Sequence, residues 1–300
     1  MSELRLATRR SPLALVQASF VQRRLANLGT SSVLVQLETR GDRSADVSLD
    51  ELGAQGVFAV EIQRAVVNGD ADVAIHSAKD LPSTTPDGLV LTCVPQRLDA
   101  ADVLIGRALA GLGPGATVAT GSPRRRALLL ERRPDLRVVG LRGNMATRFA
   151  AVQGGVDAVV VAAAALDRLG ENDLIAERLD PEWFVPQVGQ GALALEVRYG
   201  DAATTSLLAV LNEPDAMSAL LAERAFLSEL GAGCSVPCGA YATVSGHSIS
   251  LRGVMVSVDG SRSVRGVRDG DDPDALGRAL ALELRDEKGG GALAGWQRSP

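Results

Sequence analysis

Between Leu13 and Leu28 the apolar residues Leu13, Val16, Phe20, Val21, Leu25 and Leu28 recur at helical spacing, as expected for a helix with one buried face. Ser11 and Pro12 supply an N-cap and a proline at the first helical position, and Gly29 supplies a stop, which bounds the predicted helix. A short strand, Leu4 to Thr8, precedes it, and another follows near Val33 to Leu37. After a polar, glycine-bearing loop through Gly56, a helix from about Phe58 to Val67 leads into the strand Asp72-Val73-Ala74-Ile75. This alternation is the rhythm of a parallel sheet with helices on its faces.

The arrangement then returns. Ala7-Thr8-Arg9-Arg10-Ser11-Pro12 is echoed by Ala119-Thr120-Gly121-Ser122-Pro123, each between an apolar strand and a leucine-rich helix. Asn68-Gly69-Asp70-Ala71-Asp72-Val73 is echoed by Gly154-Gly155-Val156-Asp157-Ala158-Val159, each feeding a strand. Two echoes in the same order predict a pair of similar α/β domains with a cleft between them. Ligands of such sheets bind beyond the carboxyl ends of the strands, where helix N-termini offer free N–H groups. From about Glu213 the character changes. A helix from about Asp215 to Leu230 runs into a Gly/Cys loop, then come alternating segments with a hairpin signal at Asp259-Gly260, and a last helix from about Asp274 to Arg285. That pattern predicts a small α+β third domain, with the glycine-rich tail after Lys288 loose.

Length and composition narrow the class. A chain of 300 residues suits two or three domains, and 46% hydrophobic with 22% charged residues is ordinary for a globular protein. The longest apolar stretch, Ala158 to Leu166, is about half the ~20 residues a membrane-spanning helix needs. Met1 to Arg5 has neither an apolar run nor a cleavage signal, so a cytoplasmic location is expected. A net charge of -5 argues against a general nucleic-acid or membrane binder. Three cysteines and two histidines supply neither a disulfide scaffold nor a conventional metal site. Of the 31 basic residues only Lys79 and Lys288 are lysines. Arginine suits planar recognition of carboxylate or phosphate, and codon bias is the plainer source of the excess.

The arginines cluster between Val118 and Ala150, where Arg124, Arg125, Arg126, Arg132, Arg133, Arg137, Arg142 and Arg148 face only Glu131 and Asp135. Solvated helix faces account for Arg132, Arg133 and Arg137. Arg124 and Arg125 instead follow the Ser122-Pro123 helix start, where the helix dipole favours anions. Arg142 and Arg148 flank a Gly143-Asn144 turn, Arg9 holds the matching place in the first repeat, and Arg168 follows the strand at Ala158. That placement points to a small polyanion; RNA is disfavoured because few aromatics are present to stack bases. His76-Ser77-Ala78-Lys79-Asp80-Leu81-Pro82 is read as a loop at a strand's carboxyl edge, either an ordinary turn or an acid/base carboxylate beside a cation. Cys234 in its glycine-flanked loop is either a reactive thiol or a small buried hydrophobe, and with Cys238 it makes a weak metal or redox pair. Gly231-x-Gly233 follows a helix rather than a strand, which fails the dinucleotide motif.

Five segments in a fixed order carry a resemblance. They are Ala7-Thr8-Arg9-Arg10-Ser11-Pro12-Leu13-Ala14-Leu15, His76-Ser77-Ala78-Lys79-Asp80-Leu81-Pro82, Leu141-Arg142-Gly143-Asn144, Val188-Gly189-Gln190-Gly191-Ala192 and Gly233-Cys234-Ser235-Val236-Pro237. From about Leu4 to Gly239 the chain resembles the hydroxymethylbilane synthase (porphobilinogen deaminase) family of tetrapyrrole biosynthesis. The resemblance implies an α/β fold with two type II periplasmic-binding-protein-like domains, 1–95 with 191–209 and 98–188, plus a small α+β domain, 213–300. It implies a dipyrromethane cofactor on a thioether to Cys234, and a reaction joining four porphobilinogens head to tail with loss of ammonia. It assigns catalysis to Asp80, and cofactor contacts to Lys79, Ser77, Thr120, Ser122, Arg124, Arg125 and Arg142. Substrate contacts fall to Arg9, Ser11, Arg148, Arg168 and Gln190. A monomer without metal, nucleic-acid or membrane partner is implied.

The chain departs from the family pattern at Glu51 and Gln55, where lysines are common, at Pro123 and Arg126, and in the extra thiol of Cys238. A rival expectation is a non-catalytic two-domain clamp for a small polyanion. The repeat and the arginines fit it, but it requires neither Cys234 nor a third domain.

Overall fold

The computed structural model describes residues 3–43, 56–231 and 236–296. The chain divides into two units, one formed by Met1–Leu98 with Gly191–Met217 and the other by Asp99–Gln190 with Ser218–Pro300. The first unit opens with β1 (Leu4–Arg9), α1 (Pro12–Asn27), β2 (Ser32–Leu37), α2 (Arg40–Arg43), α3 (Val60–Val67), β3 (Val73–Ser77) and β4 (Leu89–Cys93). The helix at Pro12 starts as its sequence dictates, for the Ser11 hydroxyl oxygen accepts the Ala14 N–H at 3.3 Å.

The second unit carries β5 (Asp102–Gly106), β6 (Thr117–Ala119), α4 (Pro123–Arg132), β7 (Arg137–Val139), α5 (Met145–Gln153), β8 (Ala158–Ala162), α6 (Ala163–Leu169) and β9 (Ile175–Leu179). The chain then returns to the first unit as β10 (Leu193–Arg198) and α7 (Ala202–Ala209). It ends with α8 (Pro214–Leu230), β11 (Cys238–Ser245), β12 (Ser248–Val256), β13 (Ser263–Gly270) and α9 (Pro273–Leu282).

The two large sheets repeat one plan. The first is ordered β2-β1-β3-β10-β4 and the second β7-β6-β8-β5-β9. In each, three parallel strands are followed by a strand antiparallel to both its neighbours. The sequence echoes have a structural basis. Asp72 accepts the Arg5 N–H of β1 at 2.9 Å, and Asp157 accepts the Thr117 N–H of β6 at the same 2.9 Å. Each aspartate, just before β3 or β8, therefore pins the start of the neighbouring parallel strand, β1 or β6. The β8 run Ala-Val-Val-Val-Ala is buried throughout, the composition of a strand covered on both faces.

The third sheet is antiparallel, β11-β12-β13. Its core joins Phe226 of α8, Leu251 and Met255 of β12, and Leu280 of α9. The two helices approach closely at Gly277, where an added Cβ would lie 2.3 Å from the Ala222 carbonyl oxygen and 2.7 Å from the Phe226 nitrogen. Alanine normally improves a helix interior by about 1 kcal/mol over glycine. Here the obstructing atoms are backbone, so overpacking wins. Gly277→Ala is expected to lower stability by ~1–3 kcal/mol, read as a fall in the urea midpoint at constant slope.

Two expectations are corrected. The tail after Lys288 is not loose as far as Trp296: Leu293 is buried, and the Trp296 indole N–H donates to the Val256 carbonyl at 2.9 Å. Burial of Leu293 and packing of the half-buried Trp296 against the same core outweigh the local freedom of the glycines. The segment beginning at His76 is not all loop either. β3 runs through Ser77, and His76 is a buried strand residue whose Nε2 lies 3.2 Å from Glu196 Oε2 on β10.

Candidate active site

In the first unit, β1 delivers Arg9 to a strand's carboxyl end and Ser11 caps the helix that follows. β3 delivers Ser77, and a single 3₁₀ turn, Ala78–Asp80, then presents Lys79 and Asp80. The turn is tied down by the Ala78 N–H, which donates to the Ala192 carbonyl at 3.0 Å. The Asp80 side chain keeps 30% of its surface exposed, and Arg9 Nη1 stands 3.8 Å from its Oδ2.

Arg9 is held more tightly elsewhere. Its Nη2 lies 2.5 Å from Asp42 Oδ1, and its Nε donates to Asp42 Oδ2 at 3.3 Å. Asp42 also accepts the Thr39 N–H at 3.1 Å and the Thr39 hydroxyl at 2.7 Å. Burial alone would raise the Asp42 carboxyl, but the hydrogen bonds from Arg9 and Thr39 outweigh it and hold the group below its ordinary value. The guanidinium lies over the Phe58 ring, 4.1 Å from its centroid.

In the second unit, β6 runs into Thr120-Gly121-Ser122. Thr120 Oγ1 accepts the Ser122 N–H at 3.2 Å, and Ser122 Oγ accepts the Arg125 N–H at 3.4 Å, which starts α4. Gly121 is required by close approach, since a Cβ there would stand 2.5 Å from the Leu141 carbonyl oxygen. That contact sets the Arg142 segment beside the start of α4. Gly143 turns the chain at φ +107, and the Asn144 side chain then caps α5 by accepting the Thr147 N–H at 3.1 Å.

Arg124 and Arg125 sit at a helix start, as expected, but inside an ion cluster rather than in an open mouth. Arg124 Nη2 lies 2.7 Å from Asp102 Oδ2, and Arg124 Nη1 donates to the Val185 carbonyl at 2.7 Å. Arg125 Nη2 lies 2.6 Å from Asp102 Oδ1. Gln190 donates to the same Asp102 Oδ1 at 2.9 Å and to the Ala100 carbonyl at 2.7 Å, while its Oε1 faces Arg125 Nη2 at 3.4 Å. Asp102 is fully buried. Burial would raise its carboxyl, and the two guanidiniums together with Gln190 hold it below its usual value instead. Burial likewise pushes Arg124 down, against the pull of Asp102.

One carboxylate thus faces two guanidiniums, an excess of one positive charge in a desolvated place. A third guanidinium, Arg148, stands near Arg125, and Arg168 and Arg142 lie elsewhere in the same unit. Arg148 is pushed down to about 10 by burial and by the neighbouring charge of Arg125, so it stays protonated at neutral pH. Burial pushes Arg168, in the last turn of α6, down to about 10 against the opposing charge of Asp167. Arg142 Nη1 is buried without a hydrogen-bond partner among the described residues. An orphaned, desolvated guanidinium N–H costs free energy unless an anion arrives to accept it. The arrangement can therefore take up carboxylates.

Asp102 and Asp42 were not singled out from the sequence. The available signal for Asp102 was an acid opening the apolar strand Val103-Leu104-Ile105, because an acid that enters a core needs a cation with it. Cys234, Glu51 and Gln55 lie outside the described residues. Cys238 opens β11 and is buried. Among the described residues, no group of three or more His, Cys, Asp or Glu is arranged to hold a metal.

Comparison with known proteins bears on the chemistry. Residues 4–206 match the family model described as porphobilinogen deaminase, dipyromethane cofactor binding domain. Residues 217–286 match the porphobilinogen deaminase C-terminal domain. A porphobilinogen deaminase of Roseiflexus castenholzii is 45% identical over 98% of this chain and 99% of that protein. One of Geobacter sulfurreducens is 42% identical over 98% of this chain and 95% of that one. Among solved structures, a periplasmic substrate-binding protein of an ABC transporter from Coxiella burnetii overlaps 72% of this chain and 94% of its own, at 16% identity and a TM-score of 0.43.

Proposed function

The chain belongs to the porphobilinogen deaminase family, and from that premise we propose that Asp80 drives its pyrrole coupling while the guanidiniums of the second unit hold the carboxylates of cofactor and product. The enzyme joins four porphobilinogens head to tail, with loss of ammonia, into hydroxymethylbilane. Membership of an enzyme family sets aside the reading as a non-catalytic clamp.

The observation that carries the assignment is the excess of buried positive charge around Asp102, with Arg148 added to it and an orphaned Arg142 N–H in the same unit. Each pyrrole unit bears an acetate and a propionate, and a carboxylate leaving water needs a partner. The donor set fits dipyrromethane for the same reason. Ser77, Lys79, Thr120, Ser122, Arg124, Arg125 and Arg142 would hold it, with a thioether to Cys234. When bound, it supplies the nucleophilic pyrrole carbon to which the first substrate is joined.

Arg9, Ser11, Arg148 and Arg168 are assigned to incoming substrate, with Gln190, whose amide is taken up by Asp102, Ala100 and Arg125, acting through Arg125. Guanidiniums pair with its carboxylates, Arg9 through the Nη1 that Asp42 leaves, and the Ser11 hydroxyl keeps a proton to donate while its oxygen caps α1. As the aminomethyl C–N bond of porphobilinogen breaks and ammonia leaves, positive charge develops on the pyrrole nitrogen. The Asp80 carboxylate stabilises that charge and takes up the proton released when the new C–C bond has formed.

The proposal extends to a monomeric, cytoplasmic enzyme without nucleic-acid or membrane partners, in three domains at 1–95 with 191–209, 98–188 and 213–300. Among the described residues no helix is long and apolar enough to cross a membrane. An intact mass of the purified protein, with peptide mapping, tests the cofactor assignment. The expected result is an adduct of two pyrrole units on the peptide containing Cys234. An unmodified Cys234 in active protein would overturn it.

A further inference from the structure

Arg9 has more to do than one guanidinium can do at once. Its fork edge, Nε and Nη2, is taken by the two oxygens of Asp42 at 3.3 and 2.5 Å, and its face is covered by Phe58. Asp42 cannot swing away, because Thr39 anchors it with a backbone and a hydroxyl donor. α2 comes close to the Phe58 ring through Gly41, where an added Cβ would lie 2.1 Å from the ring. What remains for Asp80 is Nη1 at 3.8 Å, beyond the 2.7–3.2 Å or so of a direct N–H···O bond.

The geometry points to a role for the unassigned carboxylate: we propose that Asp42 is a positioning residue that holds the Arg9 guanidinium back from Asp80, leaving the Asp80 oxygens open to the reacting pyrrole. Without Asp42 the freed fork has Asp80 beside it, and a two-point pair there would occupy both oxygens. Asp80 would then be lost to chemistry. The inference rests on the reading of Asp80 as the catalytic group and Arg9 as a substrate contact.

A double-mutant cycle on the cofactor-loaded enzyme, assayed with porphobilinogen, separates the two. Asp42→Asn is expected to lower kcat about tenfold, the size of one charge-assisted hydrogen bond misplaced. KM should move less than about threefold and the thermal midpoint should hold, which a merely structural loss would not produce. In an Arg9→Gln background the same substitution should cost less than about twofold, since Asp42 acts only through Arg9. Thr39→Val, which removes one anchor, should give a smaller loss that also vanishes with Arg9→Gln, and it carries the test if Asp42→Asn does not fold. Equal effects of Asp42→Asn in both backgrounds, or an unchanged kcat, overturn the inference. Near-normal turnover in Asp80→Asn instead overturns the reading beneath it, a separate result from the same set of proteins.

Discussion

Asp80→Asn is expected to keep its fold and lose turnover by about 10²- to 10⁴-fold, the range for removing a positioned acid/base group. The substitution preserves shape and removes only charge and proton affinity. Little stability should go with it, because the side chain is 30% exposed and Arg9 approaches no nearer than 3.8 Å, a pair worth about 1 kcal/mol or less. The turn that presents it is fixed independently by the Ala78 N–H bond to Ala192. The loss therefore falls on kcat, where positive charge develops on the pyrrole and amide dipoles replace a full negative charge. Initial rates with porphobilinogen beside a thermal unfolding curve check both halves. A normal melting curve with near-normal rates would remove Asp80 from the mechanism.

Asp102→Asn is expected to be as damaging to stability as Asp80→Asn is to rate. It leaves Arg124 and Arg125 buried with no carboxylate between them, and breaking a buried pair from one side costs roughly 3–5 kcal/mol. The amide can still accept from one guanidinium and from Gln190, which places the expected loss at the lower end. The pH dependence carries a sign. Asp102 titrates below its ordinary value in the folded state, with the Arg124 and Arg125 charges and the Gln190 hydrogen bond outweighing burial. Its contribution is therefore full above the ordinary carboxylate range and is lost as the pH falls through the lower, folded value. The stability gap between wild type and Asp102→Asn should accordingly be constant near neutrality and close only in strong acid. Urea unfolding across that range measures it, and a gap that widens on acidification would contradict the assignment.

What the sequence disclosed, and what it withheld, divides by distance along the chain. Ser11 and Ser122 announce their helices because a cap and its N–H partner are three residues apart. The duplication was legible because each echo repeats a local device, a capped helix after a strand or an aspartate at a strand's start. Asp102 was invisible by the same standard. Its arginines stand 22 and 23 positions away and Gln190 stands 88 away, so only the folded sheet brings them together. Asp42 and Arg9, 33 positions apart, are a second case. The helix-start reading of Arg124 and Arg125 located them correctly but not their depth. Local composition also misled at the tail, where glycines signal freedom and two side chains, Leu293 and Trp296, remove it by packing.

The return of β10 into the first sheet has a consequence for how the protein is made. The second large sheet is contiguous, from Asp102 to Leu179, and can close as soon as that stretch has left the ribosome. The first cannot, because β3 gains its second neighbour only when Leu193 pairs with Ser77. Until then the strand leading into Asp80 presents an open edge, the kind of edge that recruits other chains. The sheet that leads into the acid is thus the last of the two large sheets to be finished, and the sheet beside the buried cations is already closed when it is.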